Sequence, residues 1–254
     1  MVRRGRPMTP DSAADRPRFV DRLPETFKRP DANPYLTAHR TFGPPLLVAS
    51  EAWKFRGRWA EAFGREAPLH VEIGSGNGFF LAGLSARHPD RNVLGIEIRY
   101  KRTVLCAKKI LTAGVKNALI ARYDAWYLDD LFEDGAIAGL YVNHPDPWPK
   151  TKQIKHRLMS RWFLEEACRI LKPGGIFRLK SDFLPNIQRV VDTLDHDEEG
   201  NPLPHLPLQI TGRSDDVVGK GTPWPDDIET NYQSKFRLLG KPVYAIELRR
   251  SDGA

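Results

Sequence analysis

From Pro68 onward the chain alternates short apolar runs with stretches of helix length, and this alternation limits its possible folds more than any other feature. The apolar runs cover residues 69–73, 93–98, 118–121, 137–143 and 176–180. Amphipathic stretches at 79–87, 99–111, 125–132 and 158–171 lie between and before them. Strand and helix in this order, with runs too apolar for a sheet wetted on one side, predict βαβ units and a parallel sheet with helices on both faces. Lys172-Pro173-Gly174-Gly175 stops the last of these helices and turns into the next strand. Two later runs, 206–210 and 243–248, bracket a polar loop from Thr211 to about Gly240 with no helix-length pattern. They predict an antiparallel pair closing one edge of the sheet. No internal repeat or second domain is visible, so residues 36–254 read as one domain.

Residues 1–35 are rich in proline and arginine and poor in apolar side chains, which predicts a flexible basic arm. Phe55, Trp59 and Phe63 follow at i, i+4 and i+8, the spacing of a helix face that packs on a core. Lysines and arginines number 39 against 32 aspartates and glutamates, a net charge of +7. An excess of that sign suits a polyanionic partner, although solubility alone can also produce it. No apolar stretch reaches the roughly 18–20 residues of a membrane span. Cys106 and Cys168 are too few for a disulfide scaffold and fit a reducing, cytoplasmic setting. The histidines form no C-x-x-C or H-E-x-x-H pattern, so no metal site is expected. The pattern is equally compatible with a monomer and a homodimer.

Glu72-Ile73-Gly74-Ser75-Gly76-Asn77-Gly78 sits between a predicted strand and the helix that starts near Phe79. Gly74, Gly76 and Gly78 let the backbone approach a ligand, and the helix N-terminus offers free N–H groups. A nicotinamide-binding turn would place its third glycine where Phe79 stands. The pattern with a preceding acid is instead similar to the first motif of class I methyltransferases, which bind S-adenosylmethionine. Glu72 suits that ligand because its amino-acid end carries an ammonium and its sulfur is a cation. Glu97, nineteen residues beyond Gly78 at the end of the next strand, is placed to accept from two ribose hydroxyls. Asp124 ends the third strand, where it can read an adenine amino group, cap the following helix, or do both. All three acids fall at carboxyl ends of adjacent strands, the edge where open α/β sheets bind ligands.

After the fourth strand comes Asn143-His144-Pro145-Asp146-Pro147-Trp148-Pro149-Lys150. Three prolines make this loop stiff and non-helical, presenting Asp146 and Trp148 in a preset geometry. The cations Lys150, Lys152, Lys155, His156, Arg157 and Arg161 follow, with no acid before Glu165. A second basic run, Arg99, Lys101, Arg102, Lys108 and Lys109, lies on the helix after Glu97. Solvated helix faces look similar, but beside a Trp-bearing loop at the ligand edge the first cluster reads as a phosphate-contacting patch.

Pro145-Asp146-Pro147-Trp148-Pro149-Lys150, together with the glycine turn and Gly95-Ile96-Glu97-Ile98-Arg99, closely resembles the bacterial tRNA (guanine-N7-)-methyltransferase family from about Phe63 to about Phe236. The resemblance implies a Rossmann-like class I methyltransferase: a mostly parallel seven-stranded sheet with helices on both faces and an antiparallel edge strand. It implies transfer of a methyl group from S-adenosylmethionine to N7 of a guanosine in the variable loop of tRNA. By motif position, Glu72, Glu97, Asp124 and Asp146 would bind S-adenosylmethionine, and Asp146 would also be catalytic. Lys150, Asp182 and the segment Thr230-Asn231-Tyr232-Gln233 would face the tRNA. The chain departs from the family at Gln233, where glutamate is usual, and at Thr151-Lys152-Gln153-Ile154-Lys155-His156-Arg157, where K-R-H-x-K-R-R is usual.

Guanine N7 carries an in-plane lone pair and no proton, so the transfer needs alignment and charge placement and no general base. In A-form RNA that atom points into a groove side chains enter poorly, so the base must be in a loop or splayed out. Trp148 and Tyr232 are available to stack on it, though for a Trp between prolines packing its own loop is the stronger reading. Two other readings stand beside this one. Asn143-His144-Pro145-Asp146-Pro147-Trp148 is also similar to the Asp/Asn-Pro-Pro-aromatic loop of enzymes that methylate adenine or cytosine amines. Gln153 and Gln233 would suit an RNA-binding protein with a degenerate cofactor site.

Overall fold

The computed structural model describes Phe19, residues 34–150, Gln153 and residues 156–251. The predicted arm therefore lies outside the described residues, except for Phe19 and for Pro34 and Tyr35, which begin the first helix. Phe19 is buried against Tyr123 and Tyr127, with ring centroids at 4.9 and 5.7 Å. Its N–H donates to Oδ2 of Asp130 at 2.8 Å.

Helix α1 (Pro34–Thr41) leads into β1 (Leu46–Leu47) and the short helices α2 (Ala49–Ala52) and α3 (Trp59–Phe63). The predicted alternation follows: β2 (Leu69–Ile73), α4 (Phe79–Arg87), β3 (Asn92–Glu97), α5 (Tyr100–Ala113), β4 (Ala118–Arg122) and β5 (Ile137–Asn143). It continues with α6 (Arg161–Ile170), β6 (Leu171–Ser181) and α7 (Leu184–Asp192), and closes with β7 (Leu208–Ser214), α8 (Val217–Lys220), α9 (Asn231–Leu238) and β8 (Tyr244–Arg250). The strands form one sheet in the order β1-β4-β3-β2-β5-β6-β8-β7. Every pairing from β1 to β6 is parallel, and β8 runs antiparallel to both β6 and β7.

Strand periodicity sorts the side chains onto two layers. Leu69, Val71, Ile73, Leu94, Ile96, Leu119 and Ala121 join the core that includes α6 and α7. Val93, Ala118 and Ile120 alternate with them and pack with α4 and α5. Each fully buried Leu, Ile or Phe contributes about 1.5–3 kcal/mol, so both layers are needed to hold the sheet. Glu72, between Val71 and Ile73, is turned toward the α4–α5 side by the same alternation.

Four local features differ from the sequence reading. The sheet has eight strands because Leu46 and Leu47 pair with Ile120 and Ala121, a run too short to leave a periodic signal. The Phe55–Trp59–Phe63 face is not one helix: Gly57 adopts φ 72° and separates a 3-10 turn at Trp53–Phe55 from α3. Residues Ala125–Asp130 form a 3-10 segment with Tyr127 out of helical geometry, where a longer helix was expected. Helix α9 interrupts the loop before β8. Its N-cap hydroxyl, Thr230 Oγ1, accepts from the Gln233 N–H at 2.9 Å, while Leu238 and Leu239 stay exposed and blur its amphipathic signal.

Candidate functional site

The chain reverses its direction of sheet growth at β2, which has β3 on one side and β5 on the other. Such a switch point opens a crevice at the carboxyl ends of the strands. A cleft of about 560 Å³ lies there, lined on one side by the glycine turn and the ends of β3 and β4. The opposite side carries His144 to Asp146, Trp148, His156 and the start of α9.

The glycine turn is built by backbone sterics. Gly74, Gly76 and Gly78 have φ of 74°, 55° and 80°, and Gly74 N donates to Ile96 O at 2.8 Å. A Cβ on Gly74 would meet nothing within 4 Å, and one on Gly76 only Gly74 O at 3.9 Å, so both line open cleft. Gly78 serves another purpose from the ligand contact expected of it. A Cβ there would lie 2.6 Å from Cys106 Sγ, so its lack of a side chain lets α4 sit against α5.

Three carboxylates converge from adjacent strand ends. Glu72 is buried, and its Oε1 accepts from Asn143 Nδ2 at 3.0 Å, while Oε2 is buried with no hydrogen-bond partner among the described residues. Burial raises its pKa to about 7, despite the Asn143 hydrogen bond, the nearby Ser75 hydroxyl and the Lys180 charge, which act the other way. Glu97 accepts from Gly76 N at 3.1 Å through Oε2 and from Arg99 N at 2.9 Å through Oε1, tying the turn to the end of β3. Asp124 caps the 3-10 segment, its Oδ1 accepting from Trp126 N at 3.1 Å, and also lines the cleft. An unpaired buried carboxylate oxygen beside an open glycine turn fits a ligand that carries an ammonium group.

The proline loop supplies the fourth acid. Asp146 is exposed at the cleft. Arg157 braces the loop, its Nε donating to Trp148 O at 2.8 Å and its Nη2 to Pro149 O at 3.3 Å. Trp148 has φ 39° and its ring lies 5.3 Å from that of His156, so it packs its own loop while still lining the cleft. Of the basic run, Lys152 and Lys155 lie outside the described residues. Arg99, Arg102 and Lys235 add positive charge to the cleft walls.

Glu72, Gly74, Gly76, Glu97, Asp124, Asp146, Thr230, Asn231 and Tyr232 thus line one cleft. Lys150 is exposed on the loop but does not line it, and Asp182 stands behind His144. Gln233 does not reach the cleft. Its amide turns inward, Oε1 accepting from Lys180 Nζ at 2.9 Å and Nε2 donating to Asp227 Oδ2 at 3.1 Å. Sequence reasoning missed His144, Asn143, Lys180 and Asp227. A lone lysine inside the apolar run at 176–180 was the available signal for Lys180, which is 2 % exposed and ion-paired to Asp227 at 2.9 Å.

Residues 66–246 match a protein-family model described as "Putative methyltransferase". The chain is similar to the tRNA (guanine-N(7)-)-methyltransferase of Limosilactobacillus reuteri, 31% identical over 215 residues, which covers 85% of this chain and 94% of that protein. The enzyme of the same name from Streptococcus thermophilus is 31% identical over 225 residues, covering 89% and 98%. That from Listeria welshimeri is 34% identical over 205 residues, covering 81% and 91%. Among solved structures, the 16S rRNA methyltransferase KamB superposes with a TM-score of 0.55 at 13% identity, covering 77% of this chain and 94% of that one. At this identity it shows the likeness of fold alone.

Proposed function

The chain belongs to the tRNA (guanine-N7-)-methyltransferase family, and from that premise we propose how its cleft performs the reaction. It is an enzyme that transfers a methyl group from S-adenosylmethionine to guanine N7 of tRNA. We place the target guanosine in the variable loop, and the enzyme in the cytoplasm, with residues 36–254 acting as one domain behind a basic arm. No helix among the described residues is long and apolar enough to cross a membrane.

One observation carries the assignment of roles: four carboxylates from four separate segments, Glu72, Glu97, Asp124 and Asp146, line a single cleft beside an open glycine turn. Glu72 Oε2 would take the cofactor's ammonium, since burial without a partner is relieved by a charged donor. Glu97, fixed by two backbone amides, keeps lone pairs for the ribose hydroxyls. Asp124 would receive the adenine amino group with whatever acceptor capacity its cap leaves. Bound S-adenosylmethionine supplies an electrophilic methyl group on a sulfonium.

The remaining work is positioning. The purine must lie with N7 behind the methyl carbon and in line with the sulfur, and water must be kept out. As the methyl moves, positive charge passes to the purine. A fixed carboxylate on that side, Asp146, stabilises the later distribution and accepts from ring N–H groups. Thr230, Asn231 and Tyr232 form the facing wall, and half-exposed Tyr232 offers a ring on which a splayed base can stack. Lys150 and Arg157 on the loop, with Arg99 and Arg102 across it, would hold phosphates.

The deciding experiment is methyl transfer from labelled S-adenosylmethionine to unmodified tRNA, with digestion and identification of the product nucleoside. N7-methylguanosine is expected. A methylated adenine or cytosine amine, or binding of RNA without turnover, would overturn the assignment.

A further inference from the structure

His144 occupies a place in the cleft wall that no motif assigned to it. It is held in the left-handed region at φ 49°, a conformation costly for any side chain but glycine, and its N–H donates to Lys180 O at 2.8 Å. Its side chain is 3% exposed. Nδ1 lies 3.2 Å from Asp182 Oδ1 and Nε2 lies 3.0 Å from Thr230 Oγ1. The ring packs beside Tyr232 and Phe236, with centroids at 5.5 and 5.8 Å.

For a neutral imidazole these contacts select one tautomer. A carboxylate only accepts, so Nδ1 carries the hydrogen given to Asp182. That hydrogen bond is the foremost reason the Asp182 carboxyl is held below its ordinary pKa. In the neutral ring Nε2 is then the acceptor and takes the Thr230 hydroxyl hydrogen, while the same oxygen accepts from the Gln233 N–H. The three side chains therefore link the ends of β5 and β6 to the first turn of α9, which carries Tyr232.

We propose that His144 is a positioning residue for the substrate purine: by bridging Asp182 and Thr230 it locks the start of α9 against the sheet and presents Tyr232 to the base. The inference rests on the methyltransferase reading above and adds to it a residue and a task. His144 acts through Tyr232 and on binding of the base, so its loss should be felt in tRNA recognition and not in the transfer step.

Two measurements test this. Imidazole nitrogen shifts of the ¹⁵N-histidine-labelled full chain, without substrate, should show His144 in the Nδ1–H tautomer, and the preference should weaken in D182A. An Nε2–H tautomer in the unaltered protein overturns the bridge. Steady-state kinetics on H144F, which keeps a ring but no donor or acceptor, and on D182A should show the tRNA KM raised about tenfold or more. The kcat should stay within about threefold and the double variant should be no worse than the poorer single one. A kcat loss at fixed KM, effects that multiply, an unchanged KM, or a parallel loss of S-adenosylmethionine affinity overturns the proposal. Failure of the unaltered protein to methylate tRNA would instead sink the assigned reaction, since the tautomer is read without it.

Discussion

Lys180 Nζ donates to Gln233 Oε1 at 2.9 Å, inside the protein and behind the cleft wall. The same ammonium pairs with Asp227 Oδ1 at 2.9 Å and donates to Ile228 O at 2.8 Å. A glutamate at this position, as in the motif that the segment resembles, would bring a charge to that lysine. Here Asp227 brings it, and Gln233 links the two with its amide.

The first prediction follows from that arrangement. Q233E places a second carboxylate beside Asp227 and removes the donor that reaches Asp227 Oδ2. Stability should fall by about 1–3 kcal/mol, measured by chemical denaturation. Adding D227N to Q233E restores one acid and one amide around Lys180 and should recover most of the loss. Equal stability of Q233E and the unaltered protein would contradict the assignment of Asp227 as the counterion.

Glu72 ties stability and ligand affinity to pH with opposite signs. Its folded pKa, raised by burial to about 7 from 4.5, means the native state binds more protons than the unfolded one between those values. Its contribution therefore opposes folding increasingly as pH rises through that window, by an amount on the order of 3 kcal/mol at the upper end. E72Q should stabilise the ligand-free protein near pH 8 and lose that advantage below about pH 4.5. The same substitution should weaken S-adenosylmethionine binding. In the unaltered protein that affinity should fall as pH drops below about 7, with proton release visible by calorimetry in buffers of different ionisation enthalpy.

Asp146 is assigned to charge and not to proton transfer. D146N keeps the shape and an acceptor oxygen, so kcat should drop by about ten- to a hundredfold with a smaller change in cofactor affinity. A kcat held within about twofold would remove the charge argument.

Binding of tRNA should weaken steeply with salt. If Lys150, Arg157, Arg99 and Arg102 neutralise phosphates, affinity should fall about a hundredfold or more between low and moderate salt. Charge reversal at Lys150 should reduce the slope by about one unit without altering cofactor binding. A flat response would rule out phosphate contacts as the source of affinity.

The sheet and the acidic side of the cleft were legible because both depend on local patterns. The run 69–73 matches β2 residue for residue, and Phe79–Arg87 matches α4. That Glu72, Glu97 and Asp124 share one edge follows from strand ends, since a parallel sheet aligns all its carboxyl termini. The facing wall was less legible because it is assembled by contacts far apart in sequence. Thr230 meets His144 and Gln233 meets Lys180 across separations that no spacing rule encodes. Helix α9 escaped notice because it has little apolar face to display; Thr230 caps its start, and Leu238 is 85% exposed. Gln233 belonged to a motif whose likeness pointed to substrate, yet burial gave it a structural task.

With Glu72 opposite Gly95 and Tyr141 and Glu97 opposite Arg122, the pairing register would make the backbone ladder a ruler for a donor held as proposed above. Neighbouring strands stand about 4.8 Å apart, so the interval between Glu72 and Glu97 is set by peptide hydrogen bonds and not by loops. Surface segments away from the cleft could therefore lengthen, shorten or change sequence while the spacing of these two acids keeps its dimensions. A slip of one residue between β2 and β3 would turn Glu72 to the opposite face and take it out of the cleft.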